Sequence, residues 1–450
     1  MASLFDLIKR FRAPALPNAT NQYDRQAADQ YSRVLRIYFN QLDELLGQIV
    51  EAIGRVSPVK FVGGAVDAFG RARFSQPYTI FDSQNRYQQN GYFDTSTASG
   101  GTTTYLPNES TVQFNVTTTS GSEVVRQSYK VFPYQPGKSL LVMNTFAFNS
   151  AKAELRQRVG YFSTQNGVFL EQDGLVLYLV KRSYVSGVAV DTRVAQVDWN
   201  VDKLNGTGNS GYTLDVSKTQ IFWQDFEWLG VGSVRCGFVI DGQIIVAHQF
   251  NNANSVASVY MTTAILPIRY EITNTGTTAS ASSMKQICST VISEGGYEKK
   301  VALQVARRTT SVTGIGTSFV PLVSIRLASD RLDAVIVPDG YSVLPTTSGD
   351  YEVALIENAT LTGASYDTTT FANVDFDTAA TALTGGNIVE SKFITSTNQA
   401  SAGSQGGGDY NFDLQLGRTI AGVSDTYTVA VRALSGSQTA IASMSFYDLT

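Results

Sequence analysis

Residues 22–55 hold no proline, and their apolar side chains recur at alternating steps of four and three. Only a helix brings residues so spaced onto one face, because its 3.6-residue turn stacks positions i, i+3, i+4 and i+7. Tyr31, Leu35, Tyr38, Leu42, Leu45, Ile49 and Ala52 form that seam. In heptad terms Leu35, Leu42 and Ile49 take one core position, and Tyr31, Tyr38, Leu45 and Ala52 take the other. Three heptads predict a coiled coil, with an amphipathic helix packed on its own domain as the competing reading. Leu46 and Val50 widen the stripe, which suits three strands or docking on a larger partner. The N-cap is expected at Asn21, with Asp24 at the third helical position. A helix over 21–56 would be roughly 50 Å long at about 1.5 Å per residue. Gly54 and then Pro58 stop it, and Gly63-Gly64 reads as a hinge within a linker over 57–90. Residues 1–20 mix Leu7, Ile8, Phe11 and Leu16 with Pro14 and Pro17, the pattern of an anchoring tail that docks on another protein.

From about Gln76 the period changes to two. Thr111–Thr117 alternates apolar with polar residues, as does Val124–Val131 apart from its first step, and 174–180 is more continuously apolar, as a buried strand would be. Gln220–Leu229 and Val234–Ile240 read as the strongest pair of strands, and Asp241-Gly242 as a two-residue hairpin turn before 243–248. Asn166-Gly167 and Asp173-Gly174 mark similar turns. Beyond Ser293-Glu-Gly-Gly296, strands are expected at 321–327, 333–337, 351–356, 427–432 and 440–447, with Asn398–Asp409 turn-rich. The predicted fold is mainly β: a long N-terminal helix, then two antiparallel β-sandwich or jelly-roll-like domains over 91–295 and 296–450.

Composition narrows the function. Charged residues are only 16% of the 450, while Tyr (22) and Phe (24) are plentiful. That balance suits strands with polar turns and large subunit contacts. A net charge of −4 without a basic stripe argues against nucleic-acid binding. No run of eighteen apolar residues predicts membrane insertion. Met1-Ala2-Ser3-Leu4-Phe5 lacks a signal-peptide core, so synthesis and assembly in a cytoplasm are expected. Cys236 and Cys288, each inside an expected strand, read as reduced, buried small hydrophobes and not as a disulfide.

Little in the chain proposes chemistry. His248 is the only histidine, and no nucleophile or metal-ligand spacing accompanies it. No phosphate loop or dinucleotide fingerprint is present, and no cofactor is expected. The arrangement that can be weighed is Trp223, Asp225 and Glu227, which share one face of a strand while Phe222, Phe226 and Trp228 take the other. Paired carboxylates beside an aromatic ring can serve glycoside hydrolysis or can bind a carbohydrate. A polar outer strand face is the plainer account.

Several stretches carry a resemblance. Tyr31-Ser-Arg-Val-Leu-Arg-Ile-Tyr-Phe-Asn-Gln-Leu-Asp43 resembles an N-terminal segment of structural proteins of aquatic tailed phages. The stretches 67–75, Tyr134–Lys138, Phe169–Asp173, Phe226–Gly232 and Pro267–Ile272 resemble a family of phage virion proteins, fibre-like or capsid-associated. The resemblance covers about residues 20–300 and brings no catalytic residues with it. It implies a non-enzymatic virion component, assembled in the host cytoplasm and joined to other virion proteins through residues 1–56. A homotrimer held by Leu35, Tyr38, Leu42, Leu45 and Ile49 is expected by analogy with phage fibres. A host-glycan receptor-binding module and a capsid decoration protein are the alternatives.

Overall fold

The computed structural model describes residues 24–56, 76–299, 303–397, 404–407 and 412–450; for Leu45, residues 47–56 and residues 404–407 it describes the backbone alone. The tail 1–20, Asn21 and the hinge Gly63-Gly64 lie outside the described residues, as do the side chains of Leu45 and Ile49. Two compact units divide the chain, residues 1–74 and 75–450.

In the first unit, α1 runs from Arg25 to Val56. Asp24 is its N-cap: Oδ1 accepts the Gln26 N–H at 2.9 Å, and the backbone carbonyl accepts that of Ala28 at 3.0 Å. The expected placement of Asp24 at the third helical position is therefore corrected. An aspartate with its oxygen two residues ahead of an orphan N–H satisfies that donor and carries a negative charge to the positive end of the helix. Leu35, Tyr38 and Leu42 on the seam are half-buried, while Tyr31, Ile37, Phe39 and Leu46 are exposed, Phe39 to 56%. The amphipathic helix is thus present, but its described side chains show no coiled-coil packing.

The second unit is built from antiparallel sheets. Its N-terminal sandwich comprises β1 (Tyr78–Ser83), β2 (Phe93–Ala98), β3 (Thr102–Leu106), β4 (Thr111–Val116), β5 (Glu123–Ser128), β6 (Leu140–Ala147), β7 (Leu155–Phe162) and β8 (Gly167–Asp173). It continues with β9 (Val176–Ser183), β10 (Val190–Ala195), β11 (Gln220–Phe226), β12 (Val234–Ile240), β13 (Gln243–Phe250), β14 (Ile268–Asn274) and β15 (Ser282–Ser293). Sheet 1 has the order β13-β12-β11-β6-β15-β4-β3, with β1 also on β15; sheet 2 has the order β10-β9-β8-β7-β14-β5-β2. β1 lies in the segment expected as linker, yet it pairs with β15 from Tyr78 to Ser83. Alternation explains which side chains turn inward. In β4, Val112, Phe114 and Val116 are buried while Gln113 and Asn115 are half-exposed. Phe146, Tyr161, Phe222, Phe226, Phe238 and Tyr270 fill the same core from both sheets. Each such side chain contributes roughly 1.5–3 kcal/mol on burial. Between β12 and β13, Asp241 (φ 51°) and Gly242 (φ 75°) both take left-handed conformations, as a type I′ hairpin requires.

The second sandwich packs a five-stranded sheet, Leu303–Arg307, Val312–Ile315, Ile336–Pro345, Ser404–Gly407 and Gln438–Asp448, on a six-stranded one containing Val320–Leu327, Gly349–Glu357 and Thr426–Ala433. Ser404–Gly407, within the stretch expected to be turn-rich, pairs with residues 340–343. Gln438–Asp448 alternates buried and half-buried residues along its whole length. Val335, Val337, Phe412 and Leu449 join the core of the first sandwich, so the two sandwiches share apolar packing.

The cysteines divide. Cys236 is buried in the core, but Cys288 is exposed. The register of β15 on β6 shifts between Gln286 and Ser289, and this bulge turns Cys288 off the inward alternation that simple period-two counting assigned it.

Candidate functional site

β11 places the candidate carboxylate. Phe222 and Phe226 are core residues, and Gln224 also points inward, donating to the Val168 carbonyl at 2.7 Å and accepting the Tyr161 N–H at 3.1 Å. Trp223 and Asp225 therefore belong to the outer face of sheet 1. Trp223 stands opposite Met143 and Gly237, and Asp225 opposite Leu141 and Arg235. The strand ends at Phe226, so Glu227 leaves the alternation and sits exposed in the turn toward β12.

Asp225 and Glu227 line one cavity of about 550 Å³, with Tyr134, Lys138, Ser139, Ser233, Arg235 and Gln249 among its walls. Two carboxylates face two cations there. Asp225 is buried, and both of its oxygens are engaged: Oδ2 by Arg235 Nη2 and Oδ1 by the Ser139 hydroxyl. The same hydroxyl lies 2.8 Å from Glu294 Oε2, and its single hydrogen can serve only one carboxylate at a time. Glu227 Oε2 accepts from Ser233 Oγ at 3.1 Å. Tyr134 packs edge-on against Trp228 and accepts the Leu229 N–H at 3.3 Å. Burial raises the Tyr134 pKa, so its hydroxyl stays protonated at neutral pH.

Trp223 is only 3% exposed and does not line the cavity. Its ring offers no stacking face to a sugar. It lies close over β12 because residue 237 is glycine: a Cβ there would come within 3.0 Å of the indole nitrogen and 1.9 Å of the Ile245 carbonyl. His248 is likewise tucked away, its Nδ1 accepting the Asn200 N–H at 3.3 Å, and burial lowers its pKa.

The stretches Tyr134–Lys138 and Phe226–Gly232, far apart in sequence, meet at this cavity. Two others, Phe169–Asp173 and Pro267–Ile272, meet on the outer face of sheet 2. There Glu171, Arg158 and Glu271 stand directly across three neighbouring strands. Arg158 Nε is 2.6 Å from Glu171 and its Nη1 is 3.2 Å from Glu271; Arg269 Nε is 2.5 Å from Glu271. Arg193 Nε sits 2.8 Å from the other Glu171 oxygen, off hydrogen-bond direction. Arg158 and Arg182 stack over Phe169, at 5.3 and 5.0 Å from the ring centre. Sequence reasoning missed Ser139, Arg235 and this whole row. Only the β11–β12 register, which a turn with a clear two-residue signal could have fixed, would have put Arg235 opposite Asp225.

Among the described residues no group of three or more His, Cys, Asp or Glu side chains could hold a metal ion, and no helix is long and apolar enough to cross a membrane. No protein-family model matches the chain, and no curated protein matches it. Among solved structures it is similar to the β-glucanase of Bacillus licheniformis, at 11% identity over 48% of this chain and 98% of that one, with a TM-score of 0.31. It is also similar to a lectin from Bauhinia forficata in complex with GalNAc, at 12% identity, 48% and 97% coverage and a TM-score of 0.27. A β-1,3-glucanase from Mycobacterium marinum gives 12%, 48%, 98% and 0.30. Likenesses this distant carry no argument about the function of this chain.

Proposed function

We propose that the chain is a non-enzymatic structural component of a tailed-phage virion, anchored through its N-terminal helix and presenting its β body. The observation that carries this reading is α1. A 32-residue helix leaves Tyr31, Ile37, Phe39 and Leu46 exposed beside a half-buried seam. Helices in proteins owe most of their stability to burying such a stripe, so this one calls for partners, either copies of itself or other virion proteins. The resemblance of residues 31–43 to the N-terminal segment of phage structural proteins points the same way. Asp225 has both of its oxygens engaged, by Arg235 and by the Ser139 hydroxyl.

In this reading Leu35, Leu42 and Ile49 hold a homotrimer. Burying one leucine contributes roughly 1.5–3 kcal/mol, so Leu42→Asp should convert trimer to monomer in analytical ultracentrifugation. A trimer in that variant would remove the seam from the interface. The decisive comparison is the solution mass of the full chain beside one lacking residues 1–56. A trimer that collapses on truncation makes the helix the oligomerisation device. One that survives makes the helix an anchor for another protein, and a monomer in both cases favours a decoration protein ordered by its partners.

A glycan-binding role is the second reading, favoured by the cavity around Asp225 and Glu227, whose balanced charges and hydroxyls suit a polar ligand. Unchanged glycan binding in Glu227→Gln would remove this cavity as the site.

A further inference from the structure

The junction of the two sandwiches holds a second cavity that no sequence motif announces. Its volume is about 620 Å³, within the range of small-ligand sites. A smaller cavity of about 270 Å³ adjoins it, and Tyr92, Lys130, Asp413 and Gln415 line both. Tyr92 precedes β2 and Lys130 follows β5; Glu357, Asp413, Gln415 and Asp425 come from the second sandwich.

Three features define what this cleft can hold. The first is charge: Glu357, Asp413 and Asp425 outnumber Lys130, leaving a formal charge of −2. Lys130 does little to offset that for a ligand, because its ammonium is already committed to the carbonyls of Phe412 (2.8 Å) and Asp413 (2.7 Å). The lining therefore repels anions. The second is an unmet acceptor. Gln415 is only 2% exposed, and its Nε2 donates to the Val131 carbonyl at 2.8 Å, but its Oε1 has no partner. Leaving a buried acceptor unpaired costs about 1–3 kcal/mol; less than 1 Å² of this oxygen is accessible, so a hydroxyl or amine in the cavity satisfies it only as the side chain shifts toward the opening. The third is an aromatic wall: Tyr92 is 45% exposed, with Phe81 edge-on to it and the Lys130 ammonium over one ring face, 5.0 Å from the ring centre.

We infer that this cleft binds an uncharged saccharide, one sugar face lying on Tyr92, its hydroxyls donating to Gln415 Oε1 and to the carboxylates. A polyol with an apolar face matches all three features. An arginine side chain of a protein partner would satisfy charge and acceptor but would leave most of the volume unfilled. The inference does not depend on the virion reading, and the oligomerisation experiments do not bear on it.

The test is ligand-observed NMR and calorimetry on the full chain with neutral trisaccharides (cello-, malto-, manno- and chitotriose), with 3′-sialyllactose as the anion and triarginine as the peptide cation. At least one neutral trisaccharide should bind and sialyllactose should not. Tyr92→Ala should weaken binding tenfold or more, Tyr92→Phe should retain it, and Tyr87→Ala, at an exposed tyrosine outside the cavity, should leave it unchanged. Four results would overturn the assignment: no neutral trisaccharide binding, binding unaltered in Tyr92→Ala, stronger binding of sialyllactose, or triarginine binding in place of the sugars. Binding that survives Tyr92→Ala but falls in Glu227→Gln would move the saccharide to the other cavity.

Discussion

The two outer faces of the first sandwich use the same chemistry to opposite ends. On sheet 2, Glu171, Arg158 and Glu271 form a straight row across β8, β7 and β14, all of them buried. On sheet 1, Asp225 meets Arg235 in the same cross-strand way, but that arginine side chain is 51% exposed and the pair opens into a cavity. Cross-strand register makes each pair; burial decides what the pair is worth. A desolvated row cannot lose one member without stranding a charge. A pair at a cavity mouth can trade its partner for water or for a ligand.

Breaking the buried row should produce the largest effect. Glu171→Ala leaves the buried Arg158 and Arg269 guanidiniums with Glu271 as their one shared carboxylate and should cost about 3–5 kcal/mol in denaturant unfolding. A loss under about 1 kcal/mol would mean that water reaches the row. Acid should separate the faces next. Burial pushes the Glu271 carboxyl up, but the Arg269 and Arg158 guanidiniums outweigh it and hold the pKa below the ordinary value. A depressed carboxylate contributes stability that is complete above its unfolded pKa, about 4.3, and is lost as pH falls through the lower folded value. Glu271→Gln should therefore flatten the acid limb of the stability curve below about pH 4.3. An unchanged limb would assign acid sensitivity elsewhere. The smallest effect belongs to the open pair: Asp225→Asn should cost less than about 1 kcal/mol, because half-exposed Arg235 is rehydrated at once. A larger cost would show that the Ser139 and Glu294 contacts bind the strand ends together.

These differences were not legible in the chain. Period-two alternation put Asp225 on the outer face of its strand and Phe222 and Phe226 in the core, and Asp241-Gly242 announced the hairpin that follows. Alternation could not tell that Trp223, on the same outer face, would be covered, because that depends on Gly237 of the neighbouring strand. It also kept Glu227 on the strand, whereas the ladder stops one residue earlier, at Phe226. Cys288 went astray for a similar reason: a bulge adds residues to one strand only, and nothing in the local pattern of 285–292 marks it.

The sequence by itself determined what depends on residues close together: the helix and its stripe, the strands and their inward faces, the type I′ turn and the acid-leaning composition. Tertiary structure decided what depends on residues brought together across the fold. Arg158 and Glu271 are separated by 113 positions, Lys130 and the Phe412 carbonyl by 282. A one-residue slip in any intervening strand would have turned those side chains to the opposite face, so the ion row, the Asp225 cavity and the junction cleft with its unpaired Gln415 exist only once every register is set.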